Sequence, residues 1–242
     1  MKLLVSPADI EEAMAAVRGG ADIIDIKNPR EGALGANFPW IIKEIRDILP
    51  QSVEISATLG DLEFKPGTAS LAAFGLAKLR VDYIKAGFYG IVDEHQAIEM
   101  ADMIKRSLEG SNAKLVLAGY GDFKKIGSIS PMKLPTIAAE VGAYGVMIDT
   151  ALKNGRSLLA NMKIDYLKRF VEDSHELDLT VALAGSLGYR EILQLKKIKP
   201  DIIGVRSLVC DGDRVNGKIS EKKVRELISR LRDSPQDRLQ HI

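Results

Sequence analysis

Apolar residues along the chain fall into short runs of two alternating kinds. One set is ADIIDIK (21–27), VDYIKAG (81–87), AYGVMID (143–149) and PDIIGVR (200–206), in which a small or acidic residue precedes an apolar run that ends in a polar group or glycine. Asp22, Asp82, Tyr144 and Asp201 mark equivalent positions, spaced by 60, 62 and 57 residues. Between them lie LLVSP near the start, VEISATLG from Val53, KLVLAGYG from Lys114 and TVALAGSLG from Thr180. Runs rich in Val, Ile, Leu and Ala suit strands of a parallel sheet covered on both faces. They recur about every 30 residues, the length of one βα unit.

The intervening segments read as helices. The first opens at Pro7-Ala8-Asp9 and ends at Gly19-Gly20, with Ala13, Ala16 and Val17 at helical spacing. The others span 40–49, 70–79, 94–108, 134–141, 164–177, 189–198 and 221–231, with Pro39 and Gly142 as ordinary helix punctuation. Strand then helix, repeated without a break, predicts right-handed crossovers and a parallel sheet. Eight such units in 242 residues have the size of an α/β (β/α)8 TIM barrel. An open doubly wound sheet is the rival, but LLVSPADI carries no glycine-rich dinucleotide turn after the first strand. One catalytic barrel domain over 1–233 and a polar tail at 234–242 are expected.

Composition narrows the picture. Thirty-four Lys and Arg against 33 Asp and Glu give no electrostatic reason to expect nucleic acid or an anionic membrane as partner. No apolar run approaches the roughly twenty residues that span a bilayer. MKLLVSPADIEEA turns acidic before the core of a signal peptide could form. The single cysteine, Cys210, forbids an intrachain disulfide and suits a reducing compartment. A soluble cytoplasmic protein is expected, with a homo-oligomer left open.

In a barrel enzyme the chemistry sits where strands end and βα loops begin. Period-two alternation puts Ile23, Asp25 and Lys27 on one side of the second strand, with Ile24 and Ile26 facing the helices. The same parity pairs Tyr83 with Lys85, groups Gly145, Met147 and Asp149 with Lys153 four residues on, and pairs Gly204 with Arg206. Lys27, Lys85, Lys153, Asp25 and Asp149 are thereby gathered at one mouth as the candidate catalytic cluster. A single strand-end lysine usually marks only where burial stops, and ion pairing accounts for buried charges. Several inward lysines beside two aspartates offer more. A lysine confined near another cation loses its proton near neutral pH and attacks a carbonyl, and the resulting Schiff base opens carbon–carbon chemistry. A second lysine and the carboxylates can carry protons.

Other chemistries fit less well. His95, His175 and His241 fall in helix or tail segments, so neither a histidine base nor a zinc triad is expected. CDGDRVNG from Cys210 looks like a calcium loop, but Val215 and Lys222 stand where ligands are needed, so it reads as a polar loop capping the mouth. No GxSxG elbow is present. No metal and no cofactor are required.

AGSLG (184–188) after the seventh strand and GVRS (204–207) after the eighth suggest phosphate binding. Gly185 and Gly204 permit close approach, Ser186 supplies a hydroxyl and Arg206 a charge; Gly119, after the fifth run, is a weaker candidate. Glycines of tight strand-to-helix turns give the same pattern with no ligand. The second loop, NPREGALGANFP (28–39), is long, and is either a lid or an interface loop.

At IDIKNPREGALGANFPW (24–40) the chain resembles the archaeal-type furan phosphate synthases of methanofuran biosynthesis. LLVSP, KPGTASLAA (65–73), DYIKAGFYG, MIDTALKNG (147–155), ALAGS and DIIGVR extend the likeness to the polar tail. The resemblance implies a lyase that condenses two glyceraldehyde 3-phosphate molecules into 4-(hydroxymethyl)-2-furancarboxaldehyde phosphate, losing water and one phosphate. It further implies Lys27 as the Schiff-base lysine, Lys85 as proton acceptor, Lys153 at the second aldehyde or a dehydration, and Asp25 and Asp149 as proton-transfer partners. The residues alone reach only Schiff-base chemistry on a small phosphorylated carbonyl. A different Schiff-base aldolase or transaldolase, or a non-enzymatic binding barrel, shares those features.

Overall fold

A computed structural model describes residues 1–232, and in it the eight apolar runs are parallel strands closed into one barrel. They are β1 (Lys2–Val5), β2 (Ile23–Ile26), β3 (Glu54–Leu62), β4 (Tyr83–Phe88), β5 (Lys114–Tyr120), β6 (Gly145–Asp149), β7 (Thr180–Leu183) and β8 (Ile202–Val205). Each pairs with the next in sequence, and β8 returns to β1 through Lys2–Ile202 to Val5–Val205. The fold is the (β/α)8 barrel that the repeat predicts. The expected tail at 234–242 lies outside the described residues.

The helices are α1 (Ile10–Gly19), α2 (Pro39–Ile48), α3 (Pro66–Lys78), α4 (Glu94–Ser107), α5 (Leu134–Glu140), α6 (Leu158–Asn161), α7 (Ile164–Glu176), α8 (Tyr189–Lys196) and α9 (Glu221–Arg232). Asp9 caps α1 by accepting from Glu12 N at 3.0 Å, so that helix begins after the aspartate and not at Pro7. Helix α3 starts at Pro66, four residues before the Ser70 expected, because proline at a first turn gives up a donor that would be unpaired anyway. The short α6 and a two-stranded hairpin, β9 (Cys210–Asp211) with β10 (Lys218–Ile219), are additions that the apolar pattern did not announce.

The repeat has a physical basis at the bottom of the barrel. Asp22, Asp82 and Asp201 each accept a backbone N–H from the preceding strand, from Leu3 at 2.8 Å, Ile55 at 2.7 Å and Val181 at 2.8 Å. Each carboxylate thus satisfies a donor at a strand start, which burial would otherwise penalise. Tyr144, at the fourth equivalent position, instead packs its ring 5.5 Å from that of Tyr83 beneath the Lys114 ammonium.

Side chains divide as the alternation requires. Ile24, Ile26, Ile84, Leu115, Leu117, Val146 and Ile148 pack outward in the layer shared with the helices. Leu4, Ile23, Tyr83, Ala118, Met147, Ala182, Ala184 and Ile202 fill the barrel interior. That inner plug closes the lower barrel, so polar side chains above it face only the upper mouth. Among the described residues no helix is long and apolar enough to cross a membrane.

Candidate active site

Asp25 and Lys27 lie on and just after β2, Lys85 on β4, Asp149 at the end of β6 and Lys153 in the loop beyond it; all but Lys153 are buried. The five meet. Lys27 Nζ stands 3.9 Å from Asp25 Oδ2 and 3.8 Å from Asp149 Oδ2. Lys85 Nζ stands 2.5 Å from Asp25 Oδ1, and Lys153 Nζ donates to Asp149 Oδ1 at 2.7 Å. Ser6 Oγ donates to the other Asp25 oxygen at 2.9 Å. Asp149 also accepts from Thr150 N, and Asp122 fixes the loop that carries Lys153 by accepting from Ala151 N and Leu152 N, both at 2.8 Å.

The Lys85–Asp25 contact is ionic, but its angles do not make a hydrogen bond, so Lys85 Nζ and Asp25 Oδ1 are buried with no hydrogen-bond partner among the described residues.

Burial, the largest influence, removes much of the hydration that keeps Lys27 protonated, and Lys85 and Lys153 repel its charge; Asp149 and Asp25 oppose them only in part. The result is a lysine lowered from 10.5 to about 8. Burial pushes Asp149 up, yet Lys153 and Lys27 outweigh it and hold that carboxyl well below the usual range. In Asp25 burial is likewise outweighed, by Lys85 and Lys27, and the carboxyl is lowered.

A narrow pocket of about 30 Å³ opens above Lys27. Its lining includes Asp149 and Lys153, Gly185 and Ser186 after β7, and Arg206, Ser207 and Arg214 after β8. Gly185 has φ +113°, and a Cβ there would lie 2.9 Å from Thr150 Cγ2, so both conformation and space require glycine. Ser186 adopts φ +50°, a region non-glycine residues seldom occupy outside strained functional turns. Among the described residues, the backbone N–H groups of Gly185, Ser186, Leu187, Ser207 and Leu208 have no acceptor, leaving a set of donors around the pocket. Gly204 lines the same pocket on β8.

Two of the expected residues stand differently. Gly119 is turned away from the pocket: its Cα faces Pro131 and Leu134, where a Cβ would meet Leu134 Cδ1 at 2.8 Å. Arg206 lines the pocket, but its guanidinium is bound at 2.6 and 3.2 Å to Glu12, at 2.7 Å to Ser6 O and at 2.7 Å to Arg214 O. Its charge is already offset by a buried carboxylate.

Loop 28–39 folds over the mouth. Ala33 and Leu34 are buried in the inner cluster; Thr58 Oγ1 donates to Leu34 O at 2.7 Å, and Asp61 accepts Leu34 N at 3.1 Å and the Tyr120 hydroxyl. Arg214 holds the loop from the other side, through Pro29 O at 2.9 Å and Gly32 O at 2.6 Å. Sequence reasoning missed Glu12, Asp61, Tyr120 and Arg214, since no local spacing links any of them to the lysines. The length of CDGDRVNG was the one available signal, and it did place a polar loop over the mouth.

Fold and site together define a (β/α)8-barrel protein with a buried lysine–aspartate cluster at the mouth of the strands. Comparison with known proteins makes this specific. A family model described as 4-HFC-P synthase matches residues 3–228, and the chain belongs to that family. It is 50% identical over 231 residues to a (5-formylfuran-3-yl)methyl phosphate synthase of Methanosarcina barkeri, covering 95% of this chain and 98% of that one. The enzyme of that name from Archaeoglobus fulgidus is also 50% identical, over 97% of this chain and 99% of that one. Phosphoribosyl anthranilate isomerase from Thermotoga maritima (TM-score 0.65, 14% identity, 95% and 97% coverage) and 3-hexulose-6-phosphate synthase (0.64, 18%, 94% and 99%) share the barrel, a likeness of fold alone.

Proposed function

We propose that this chain makes (5-formylfuran-3-yl)methyl phosphate, an intermediate toward methanofuran, from two molecules of glyceraldehyde 3-phosphate, acting as a lyase through a Schiff base on Lys27. The observation that carries the reading is Lys27 itself: 5% exposed, lined up on the pocket, without a close hydrogen-bond partner and with its pKa lowered to about 8. At pH 7 about a tenth of such a lysine is neutral, against about one part in three thousand for an ordinary one. Its amine attacks the aldehyde carbon, the carbinolamine loses water, and the iminium withdraws electrons from the neighbouring carbon.

Lys85, once it has passed its own proton to Asp25 beside it, accepts the proton released from that carbon. The nucleophilic carbon then attacks the second aldehyde, where the Lys153 ammonium, held by Asp149, protonates the new alkoxide or assists dehydration. Free N–H groups at Gly185, Ser186, Leu187, Ser207 and Leu208 suit a phosphate, which accepts several donors at once. Family membership supports the furan product; the lysine and the free N–H groups lining the pocket support a phosphorylated aldehyde. Purified protein given only glyceraldehyde 3-phosphate should yield an ultraviolet-absorbing furan aldehyde and free phosphate. A linear sugar phosphate without phosphate release indicates an aldolase or transaldolase instead.

A further inference from the structure

Arg214 is the one pocket-lining arginine that makes no ion pair with a carboxylate among the described residues. It stands in the turn between β9 and β10, half-buried, and two of its donors go to neutral carbonyls, Pro29 O and Gly32 O. A guanidinium carries five N–H donors, so three are unspent, and the Asp149 and Asp61 carboxylates act on its charge only from beyond ion-pair distance. Arg206, by contrast, is closed into the Glu12 pair at 2.6 Å, and its Nε holds the Arg214 carbonyl at 2.7 Å. The arginine adjoining the eighth strand braces the loop, and the arginine eight residues later faces the pocket.

We infer that Arg214 receives the phosphate of the triose phosphate bound over Lys27, together with the free N–H groups of Ser186, Leu187, Ser207 and Leu208, while Arg206 only positions the turn that carries it. Three features support this. Arg214 lines the same pocket as Lys27, Lys153, Ser186, Leu187, Ser207 and Leu208. A planar fork matches two phosphate oxygens as a single ammonium does not. The remaining pocket cations, Lys27 and Lys153, face Asp149, leaving Arg214 as the cation not already committed to a carboxylate. Because Arg214 also grips loop 28–39, a bound phosphate tightens the cover over the lysines.

The inference rests on the triose-phosphate reading above, and the test separates the two. Binding of inorganic phosphate is measured by equilibrium dialysis, and Schiff-base formation by borohydride trapping with glyceraldehyde 3-phosphate and with unphosphorylated glyceraldehyde. For Arg214→Gln, phosphate affinity should fall at least about tenfold, and half-maximal trapping should need at least about tenfold more glyceraldehyde 3-phosphate. Trapping with glyceraldehyde should stay within about twofold of the unaltered protein. Arg30→Gln removes an exposed arginine that also ties loop 28–39 to this turn, through Asn216 at 3.3 Å, and should leave phosphate binding unchanged. If Arg214→Gln does not fold, Arg214→Lys keeps the charge without the fork and should weaken phosphate at least about threefold. Unaltered phosphate affinity in the folded variants overturns the inference, as does an equal loss of glyceraldehyde trapping, which would make Arg214 a loop brace only. If the unaltered protein traps neither aldehyde, the Schiff-base reading fails while the phosphate arm still decides the role of Arg214.

Discussion

Asp149 Oδ2 lies 3.8 Å from Lys27 Nζ, beyond hydrogen-bond reach but well within the range where charge is felt. The carboxylate therefore raises the Lys27 pKa without a hydrogen bond to the amine, and spends its hydrogen bond on Lys153 at 2.7 Å. This spacing keeps Lys27 both available and titratable near neutral pH.

Asp149→Asn should lower the Lys27 pKa further, because it removes the strongest charge opposing deprotonation and also frees Lys153 to repel. The acid limb of the pH profile for Schiff-base trapping should move below about 8 by about one unit or more. Furan formation should nevertheless fall at least about a hundredfold, since a proton carrier is lost. A limb that moves to higher pH contradicts the electrostatic account.

Lys27 also leaves a mark on stability. Its folded pKa is about 8 against 10.5 when unfolded, so between those values the unfolded chain binds more protons. The cost of burying the charge is complete below pH 8 and is relieved as pH rises towards 10.5. Urea unfolding of the unaltered protein relative to Lys27→Met should show a relative gain of about 3 kcal/mol across that window. A flat difference means that the ammonium is not desolvated.

Glu12→Gln leaves Arg206 buried, 6% exposed, with its charge unpaired. A loss of about 3 to 5 kcal/mol is expected in denaturant unfolding, as for other broken buried pairs. Exchange of both partners for apolar residues should recover most of it. A single-variant loss under about 1 kcal/mol means that the pair is hydrated in solution.

Thr58→Val removes the hydroxyl that holds the Leu34 carbonyl and leaves a buried acceptor without a donor. About 1 to 3 kcal/mol of loop anchoring is expected to go. Trypsin should then cut after the exposed Arg30 at least about fivefold faster, with unfolding of the barrel little changed. Unchanged cleavage would show that the remaining anchors, Asp61, Arg214 and Asn37 among them, hold the loop without Thr58.

Much of this arrangement was legible in the chain. Period-two alternation placed Asp25, Lys27, Lys85 and Asp149 inward because in a covered parallel strand parity decides which face a side chain reaches. The spacing of Asp22, Asp82 and Asp201 reported a recurring backbone bond that the same carboxylate makes at each strand start. Arg206 and Arg214 were not legible. Which arginine meets Glu12 depends on α1 crossing under the last loop, a contact across 194 residues that no local pattern encodes. Gly119 misled for a related reason: a glycine before a loop serves a ligand or a neighbouring helix equally well, and here Pro131 and Leu134 press against it. Asp61 and Tyr120 matter only once loop 28–39 folds back and brings Leu34 N to Asp61.

The central claim is that Lys27 forms the covalent intermediate. Its most direct test is borohydride trapping with glyceraldehyde 3-phosphate, followed by peptide mapping of the modified lysine. The account predicts an adduct on the peptide holding Lys27, absent in Lys27→Arg, whose guanidinium stays protonated. An adduct of equal yield on Lys85 or Lys153, persisting in Lys27→Arg, contradicts it.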